Sequence, residues 1–169
     1  MREHTSFRVG GPADVMLFPT STEELQQLLC FLNEQQVPIY IMGNGSNLLV
    51  RDGGIRGAVV RLADNFSNIS VEGTRIKAEA GVSLAKLAHT AWQAGLQGLE
   101  FASGIPGTLG GAVAMNAGAY GREMVDVLQS VTVCDLRGNL HHFALDDLQL
   151  GYRTSRVRTG TTSTRSSPS

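Results

Sequence analysis

The sequence predicts an α+β protein of two small lobes that divide near residue 63. Three observations carry this expectation. Two amphipathic helices begin at polar caps, short apolar or alternating segments lie between them, and glycine-marked turns close hairpins in the second lobe. With 169 residues, 42 % hydrophobic and 17 % charged, the chain is long enough to bury a real core and is ordinary for a globular protein.

The elements follow in order. Ala13–Phe18 is a short apolar strand ended by Pro19. Ser21, with Glu24 three residues on, is a capping box. It opens a helix whose apolar stripe is Leu25, Leu28, Leu29 and Leu32, spaced i, i+3, i+4, i+7. Pro38 precedes a strand over Ile39–Met42, so strand, helix and strand form one small βαβ unit. Leu48–Val50 and Ala58–Leu62 read as further strands around the turn-rich Asp52-Gly53-Gly54. In the second lobe, Ile69–Glu72 and Ile76–Ala80 flank Gly73-Thr74 as a hairpin. Ser83 caps a helix to about Ala94 with Leu84, Leu87, Ala88, Ala91 and Trp92 on one face, and Gly95 closes it. Val131–Asp135 and Leu140–Phe143 form a second hairpin around Arg137-Gly138-Asn139, and Asp146–Leu150 is a helical turn.

Composition excludes several classes. A formal net charge of −1 gives no case for nucleic acid or a polyanionic surface. No apolar run reaches the ~18 residues of a membrane span. Met1-Arg2-Glu3-His4-Thr5 has no apolar region of a secretory signal. Cys30 and Cys134 fit neither a disulfide framework nor a zinc site, and read as small buried hydrophobes. His4, His89, His141 and His142 lack metal-ligand spacing and read as structural or solvated, so no metal is expected. The expected compartment is the cytoplasm.

The C-terminal segment differs from the rest. Thr154–Ser169 holds five Ser, five Thr and three of the 14 Lys and Arg residues, with Val157 as its only aliphatic residue. Such a segment buries too little apolar surface to offset its ordering entropy, so residues 154–169 are expected to be disordered. A plain flexible terminus, a basic arm for an anionic partner and a lost reading frame are the alternatives.

Three segments could carry chemistry. Gly43, Asn44, Gly45, Ser46 and Asn47 directly follow the Ile39–Met42 strand. Glycines allow positive φ there, so successive N–H groups can form an anion nest, with Ser46 and Asn47 as side-chain donors. A plain strand-to-strand turn explains the same residues. With Leu48 following and a strand after it, this is not the G-x-G-x-x-G fingerprint, and no Gly-Lys-Ser/Thr of a P-loop is present. The second segment runs from Ser103 to Gly121, with glycine at 104, 107, 110 and 111. Small residues let the backbone approach a flat ligand or a pyrophosphate. A helix starting near Gly107 would turn free N–H groups toward it. Close packing of helices through small side chains is the competing explanation. The third is Arg153 beside Tyr152, an arginine suited to bidentate binding of a carboxylate or phosphate, or else one more surface charge.

Taken together, these segments resemble a known family. His4-Thr5-Ser6-Phe7-Arg8-Val9-Gly10-Gly11-Pro12-Ala13-Asp14 resembles the opening of the MurB family of UDP-N-acetylenolpyruvoylglucosamine reductases. Gly43-Asn44-Gly45-Ser46-Asn47-Leu48-Leu49 is similar to its first flavin segment. Gly98-Leu99-Glu100-Phe101-Ala102-Ser103-Gly104-Ile105-Pro106-Gly107-Thr108 and Asn116-Ala117-Gly118-Ala119-Tyr120-Gly121 are similar to its second. Gly151-Tyr152-Arg153-Thr154-Ser155 is similar to its Gly-Tyr-Arg-x-Ser motif, and the resemblance covers about residues 3–157 in order.

The resemblance implies an FAD-linked oxidase type (PCMH-like) fold, with FAD between lobes 1–63 and 64–153. It implies that Gly43–Leu48 and Ser103, Gly104, Ile105, Pro106, Gly107, Thr108, Gly110 and Gly111 hold the FAD pyrophosphate and adenosine. Asn116, Ala117, Gly118 and Tyr120 would approach the flavin. NADPH would reduce FAD, and the enolpyruvyl group of a UDP-sugar would accept the hydride, giving the peptidoglycan precursor UDP-N-acetylmuramate. Arg153 would stabilise enolate charge as the catalytic residue, with Tyr152 beside the substrate. The family continues into a third domain that supplies a serine proton donor and an assisting glutamate. Ser163, Ser166, Ser167 and Ser169 sit in no matching context for that donor. The expectation is therefore a truncated form that binds FAD without the full catalytic set. A non-catalytic flavin- or nucleotide-binding module or remnant, and another FAD-linked oxidase, are the alternatives.

Overall fold

A computed structural model describes residues 1–157. The first part of the chain is built on a three-stranded parallel sheet. Its strands are β1 (Ala13–Leu17), β2 (Ile39–Met42) and β3 (Ile55–Arg61), and the spatial order is β1-β3-β2. Helix α1 (Thr22–Glu34) links β1 to β2, so the predicted strand-helix-strand unit is present, but β3 lies between its two strands. The reason is visible in β3. Ala58, Val59 and Val60 are wholly buried, and a strand apolar on both faces belongs in the middle of a sheet. Ala58 and Val60 face α1, whose Leu25, Leu29 and Leu32 cover them, while Val59 packs with Met1, Met42, Val50 and Ile55 on the other side.

Leu48–Val50, expected as a strand, forms no ladder. Val50 is buried with Val59 on the side of the sheet away from α1, and Gly10 lies so close to it that an added Cβ would stand 2.6 Å from the Val50 Cβ. Just beyond the segment, the Arg51 carbonyl accepts from Gly11 N–H at 3.0 Å and from Gly54 N–H at 2.9 Å.

Both helices begin as their caps dictate. The Ser21 hydroxyl accepts from the Glu24 N–H at 3.1 Å. The Glu24 carboxylate reaches back one residue further than the capping box predicts, accepting from Thr20 N–H at 2.7 Å and the Thr20 hydroxyl at 2.8 Å. Helix α2 (Leu84–Gln93) is capped by Ser83, which accepts from Lys86 N–H at 3.2 Å. It ends in a Schellman motif, with Gly95 N–H on the Trp92 carbonyl, Leu96 N–H on the Ala91 carbonyl, and Gly95 at φ +68°. Leu84, Leu87, Ala88 and Ala91 are buried, but Trp92 is 73 % exposed. Trp92 follows Ala91 by one residue, about 100° around the helix, and leaves the apolar face to lie beside the His89 ring at 5.6 Å.

The second part is a set of antiparallel hairpins around another core. They are β4–β5 (Ile69–Glu72, Arg75–Ala78), β6–β7 (Gly118–Ala119, Arg122–Glu123) and β8–β9 (Ser130–Cys134, Leu140–Ala144). Val82, Leu84, Leu87, Phe101, Val113 and Met124 fill this core together with the short helix α3 (Leu109–Ala114). A 3-10 turn at Leu145–Leu148 buries Leu148 where the sequence places a helical turn. Thr154–Val157, at the head of the expected disordered tail, belong with the folded part. Ser155 is 1 % exposed and Val157 packs against the second core. The remainder of that expectation, residues 158–169, lies outside the described residues.

The β8–β9 turn ties the two parts together. Gln26 of α1 donates its side-chain N–H to the Gly138 carbonyl at 2.6 Å, and Cys134 and Leu136 pack on the α1 core. Both cysteines are partly exposed rather than fully buried. Within the turn, the Asp135 carboxylate accepts from His141 Nε2, Arg137 N–H and Asn139 N–H, each at 2.8 Å, and from Asn139 Nδ2 at 3.1 Å.

The His141 contact first, then the Asn139 and Arg137 bonds, hold the Asp135 carboxyl well below the usual carboxylate range. A depressed folded value contributes stability above the unfolded value of about 3.9, and that stability is lost as pH falls through the folded value. Asp135→Asn is therefore expected to lower the melting temperature near neutral pH and to flatten the acid limb of the profile, so that the two proteins converge at low pH. Parallel acid limbs in the two proteins would remove Asp135 from the acid response. The group is solvent-exposed, so the effect is modest and shrinks with added salt.

Candidate active site

The first glycine segment leaves β2 at Met42 and runs against the second segment. Gly43 has no room for a side chain, since an added Cβ would lie 2.2 Å from the Thr108 hydroxyl oxygen. Ser46 donates its hydroxyl to the Pro106 carbonyl at 3.0 Å, and Asn47 Nδ2 reaches the Met115 sulfur at 3.2 Å. The two segments, about 60 residues apart in sequence, are thus interlocked along their length.

The glycines separate into two kinds. Gly43, Gly45, Gly110 and Gly118 are small because the protein itself closes on them. The nearest atom an added Cβ would meet, in each case within 3 Å, is Thr108 Oγ1, the His4 carbonyl, Ala80 Cβ and the Arg122 carbonyl respectively. Gly104 meets nothing within 4 Å, and Gly111 only the Thr108 hydroxyl at 3.6 Å. Ser103, Gly104, Pro106 and Gly111 are exposed, as are Asn44 and Asn47. These are the positions open to a ligand. Leu48, Ile105 and Ala117 send their side chains into the cores instead.

Gly107, at φ +147°, lies 3.3 Å by the same measure from the Ser46 hydroxyl. Thr108 is buried and caps α3 in position, although its side chain makes no capping bond. Upstream, Glu100 accepts from Gly98 N–H at 2.9 Å, and its own N–H and that of Gly98 hold its carboxyl below the usual range.

A cleft of about 380 Å³ adjoins this interlock, lined by Asn116, Gly118, Ala119, Gly121, Arg122, Glu123, Asp126, Tyr152 and Arg153. Asn116 is 2 % exposed and forms its inner wall. Its amide donates to Glu123 Oε2 at 2.7 Å and, more weakly, to the Gly151 carbonyl at 3.4 Å, while its Oδ1 accepts from Val125 N–H at 3.0 Å. The side chain is thus committed to holding the cleft together. Glu123 N–H in turn donates to Asp126 Oδ2 at 2.8 Å.

Backbone strain collects here. Of the seven non-glycine residues with positive φ among the described residues, Asn116, Tyr120 and Arg153 belong to the cleft or its rim. Tyr120-Gly121 closes β6–β7 with positive φ at both positions, as a type I′ turn requires. An aromatic residue is ill suited to the first of them, and Tyr120 recovers nothing by packing, being 93 % exposed. Such placements cost of order 1–3 kcal/mol each and concentrate at functional sites. Tyr152 and Arg153 stand beside it in a turn closed by reciprocal bonds between Gly151 and Thr154, at 3.1 and 3.2 Å.

The structure thus brings the Asn116–Tyr120 segment and the Tyr152-Arg153 pair together, and it runs them on from the two glycine segments through Met115. Arg122, Glu123 and Asp126 are cleft residues that the sequence reading passed over. The acidic pair spaced three apart was the available signal. Thr5 was also missed. It is 5 % exposed, its Cα would lie 3.2 Å from a Cβ at Gly45, and its hydroxyl has no partner within the protein.

No group of three or more His, Cys, Asp or Glu among the described residues could hold a metal ion. No helix among them is long and apolar enough to cross a membrane.

The two-segment interlock predicts a specific coupling. Gly43→Ala is expected to lower stability by about 1–3 kcal/mol through overpacking against Thr108. Adding Thr108→Ala should recover part of that loss in a double-mutant cycle. Strict additivity of the two changes in urea melts would show that the segments do not bear on each other.

Comparison with known proteins gives concordant results. The FAD binding domain family matches residues 13–144. The UDP-N-acetylenolpyruvoylglucosamine reductase of Clostridioides difficile is 50 % identical over 157 residues, covering 93 % of this chain and 52 % of that protein. That of Caldanaerobacter subterraneus is 52 % identical over 155 residues, covering 92 % and 51 %. The chain spans about half the length of the curated relatives it matches. The crystal structure of UDP-N-acetylenolpyruvylglucosamine reductase (MurB) from Thermus caldophilus superimposes with a TM-score of 0.75 at 39 % identity, covering 91 % of this chain and 54 % of that one. 6-Hydroxy-D-nicotine oxidase from Arthrobacter nicotinovorans shares the fold at a TM-score of 0.62 and 17 % identity, covering 82 % of this chain and 31 % of that one.

Proposed function

This chain belongs to the FAD binding domain family, and on that premise we propose that it is the FAD-binding part of a UDP-N-acetylenolpyruvoylglucosamine reductase. The observation that carries the proposal is the joining of two glycine segments and a strained Tyr-Arg turn along one surface, in a chain about half identical to those reductases. The residues present fit the cofactor. Open backbone at Gly104 and Gly111 leaves space for a flat or pyrophosphate-bearing group, and the buried Thr5 hydroxyl beside Gly45 lacks an acceptor.

FAD, when bound, would supply the hydride-transfer chemistry between NADPH and the enolpyruvyl double bond of the UDP-sugar. The chain's own residues bind and orient. Asn44, Gly45, Ser46 and Asn47 on one side, and Ser103–Gly111 on the other, hold the pyrophosphate and adenosine. Gly118 and Tyr120 border the flavin. Arg153 presents a fixed positive charge to the substrate carboxylate, where negative charge grows as the double bond is reduced, and Tyr152 stands beside it. The proton donor is assigned to the part of the relatives' length that this chain does not span. A product of this kind, UDP-N-acetylmuramate, a peptidoglycan precursor, supports the reading of a cytoplasmic step.

Purified chain mixed with FAD and passed through a desalting column should retain flavin absorbance in the visible region. A colourless eluate would contradict the cofactor assignment. In a polypeptide as long as the relatives, NADPH oxidation should depend on the enolpyruvyl sugar. Arg153→Ala there is expected to lower kcat roughly 10²–10³-fold, the usual size of losing a charge-stabilising donor. A kcat unchanged in that variant would remove Arg153 from the chemical step.

A further inference from the structure

Ser155 closes the Gly-Tyr-Arg-x-Ser motif, yet the function proposed above gives it no task. It is 1 % exposed and donates its hydroxyl to the Ala114 carbonyl at 2.8 Å. Ala114 is the last residue of α3, and the last four carbonyls of a helix have no partner inside it. The bond therefore satisfies an orphan carbonyl and at the same time fastens the Arg153 turn to the helix.

That helix is itself fixed to the first glycine segment, because Thr108, its cap residue, packs against Gly43. On the far side of the turn, Arg156 lies over the Phe143 ring of β9 at 4.9 Å, and Val157 packs against the core to which Ala112 and Val113 of α3 also belong. On the near side, the Asn116 contact to the Gly151 carbonyl is long, at 3.4 Å. Arg153 is held at φ +56°, a conformation that only a constrained turn maintains in a residue of this kind.

We infer that Ser155 is a positioning residue, which clamps the Tyr152-Arg153 turn to the end of α3 and so sets the Arg153 guanidinium relative to the two glycine segments. This deepens the reading of Arg153 as the charge-stabilising group and rests on it. A buried hydrogen bond, rather than side-chain packing, is the element that transmits position.

The test reads Arg153 directly, on the full chain, without substrate. The Nε–Hε signal of Arg153 is assigned in a ¹⁵N spectrum by its loss in Arg153→Lys. In the unaltered chain it should be dispersed, with a rigid heteronuclear relaxation signature. In Ser155→Ala it should move to the averaged position of a solvent-mobile arginine. The backbone signals of Gly43 and Thr108 should stay in place, and the melting temperature should fall by only about 2–4 °C, the size of one lost hydrogen bond. Ser155→Thr, which keeps the hydroxyl, should restore the Arg153 signal.

If Ser155→Ala melts the whole spectrum, Ser155→Cys decides, because it keeps the packing with only a weak donor. A mobile Arg153 in that variant supports the clamp, and an unchanged Arg153 overturns it. An averaged Arg153 signal in the unaltered chain, or one unmoved in a folded Ser155→Ala protein, also overturns it. None of these readings depends on turnover, so failure of the clamp is distinct from failure of the reductase assignment, which substrate-dependent NADPH oxidation decides.

Discussion

The contact between Gly43 and Thr108 is the constraint on which the site depends. One residue directly follows a strand of the parallel sheet, the other caps a short helix of the core beyond it, and Gly43 cannot gain a side chain without displacing Thr108. The Ser46–Pro106 and Asn47–Met115 contacts extend the same seam. A ligand lying along it would touch both parts of the molecule at once, and both surfaces are already registered before it arrives. Such preorganisation lowers the entropy that binding must overcome.

A second tie works through different residues. Gln26 on α1 grips the carbonyl of Gly138 in the β8–β9 turn, and Asp135 stiffens that turn from within by four hydrogen bonds. Through the glycine seam and this turn, the two cores are joined at separated points. Relative rotation of two bodies held at separated points needs more than one contact to break. The cleft beside Asn116 therefore takes its shape from a stiff frame, and its strained residues, Tyr120 and Arg153, are held against their own preferences by that frame.

Much of this was legible in the sequence where the signal is local. Ser21 and Ser83 announced their helices because a cap and an apolar stripe are properties of neighbouring residues. The hairpins around Gly73 and Gly138 were legible for the same reason, since a positive φ has a short list of tolerant residues. The place of β3 was not, because strand order is settled by which strand is covered on both faces, and that is a matter of distant partners. Trp92 was misassigned because Ala91, one residue earlier, already ends the buried arc.

The glycine segments show a subtler limit. Their composition correctly announces that something comes close to the backbone, but it does not say what. At Gly43, Gly45, Gly110 and Gly118 the approaching group is the protein, while at Gly104 and Gly111 space remains. The buried place of Thr5 beside Gly45 arises only after the chain has folded back on itself, whereas Glu123 and Asp126 offered only their spacing of three.

The central position of β3 has a consequence for how the chain comes into being. Strands β1 and β2 are made first, yet they do not pair with each other, and each must wait for residues 55–61 to supply its partner. Until then α1 has no sheet to cover, and its leucine face is presented to whatever surrounds the nascent chain. During synthesis at the ribosome, the first part of this molecule is thus an assembly with its keystone placed last, and the stretch between β2 and β3 is the interval in which a chaperone would find it.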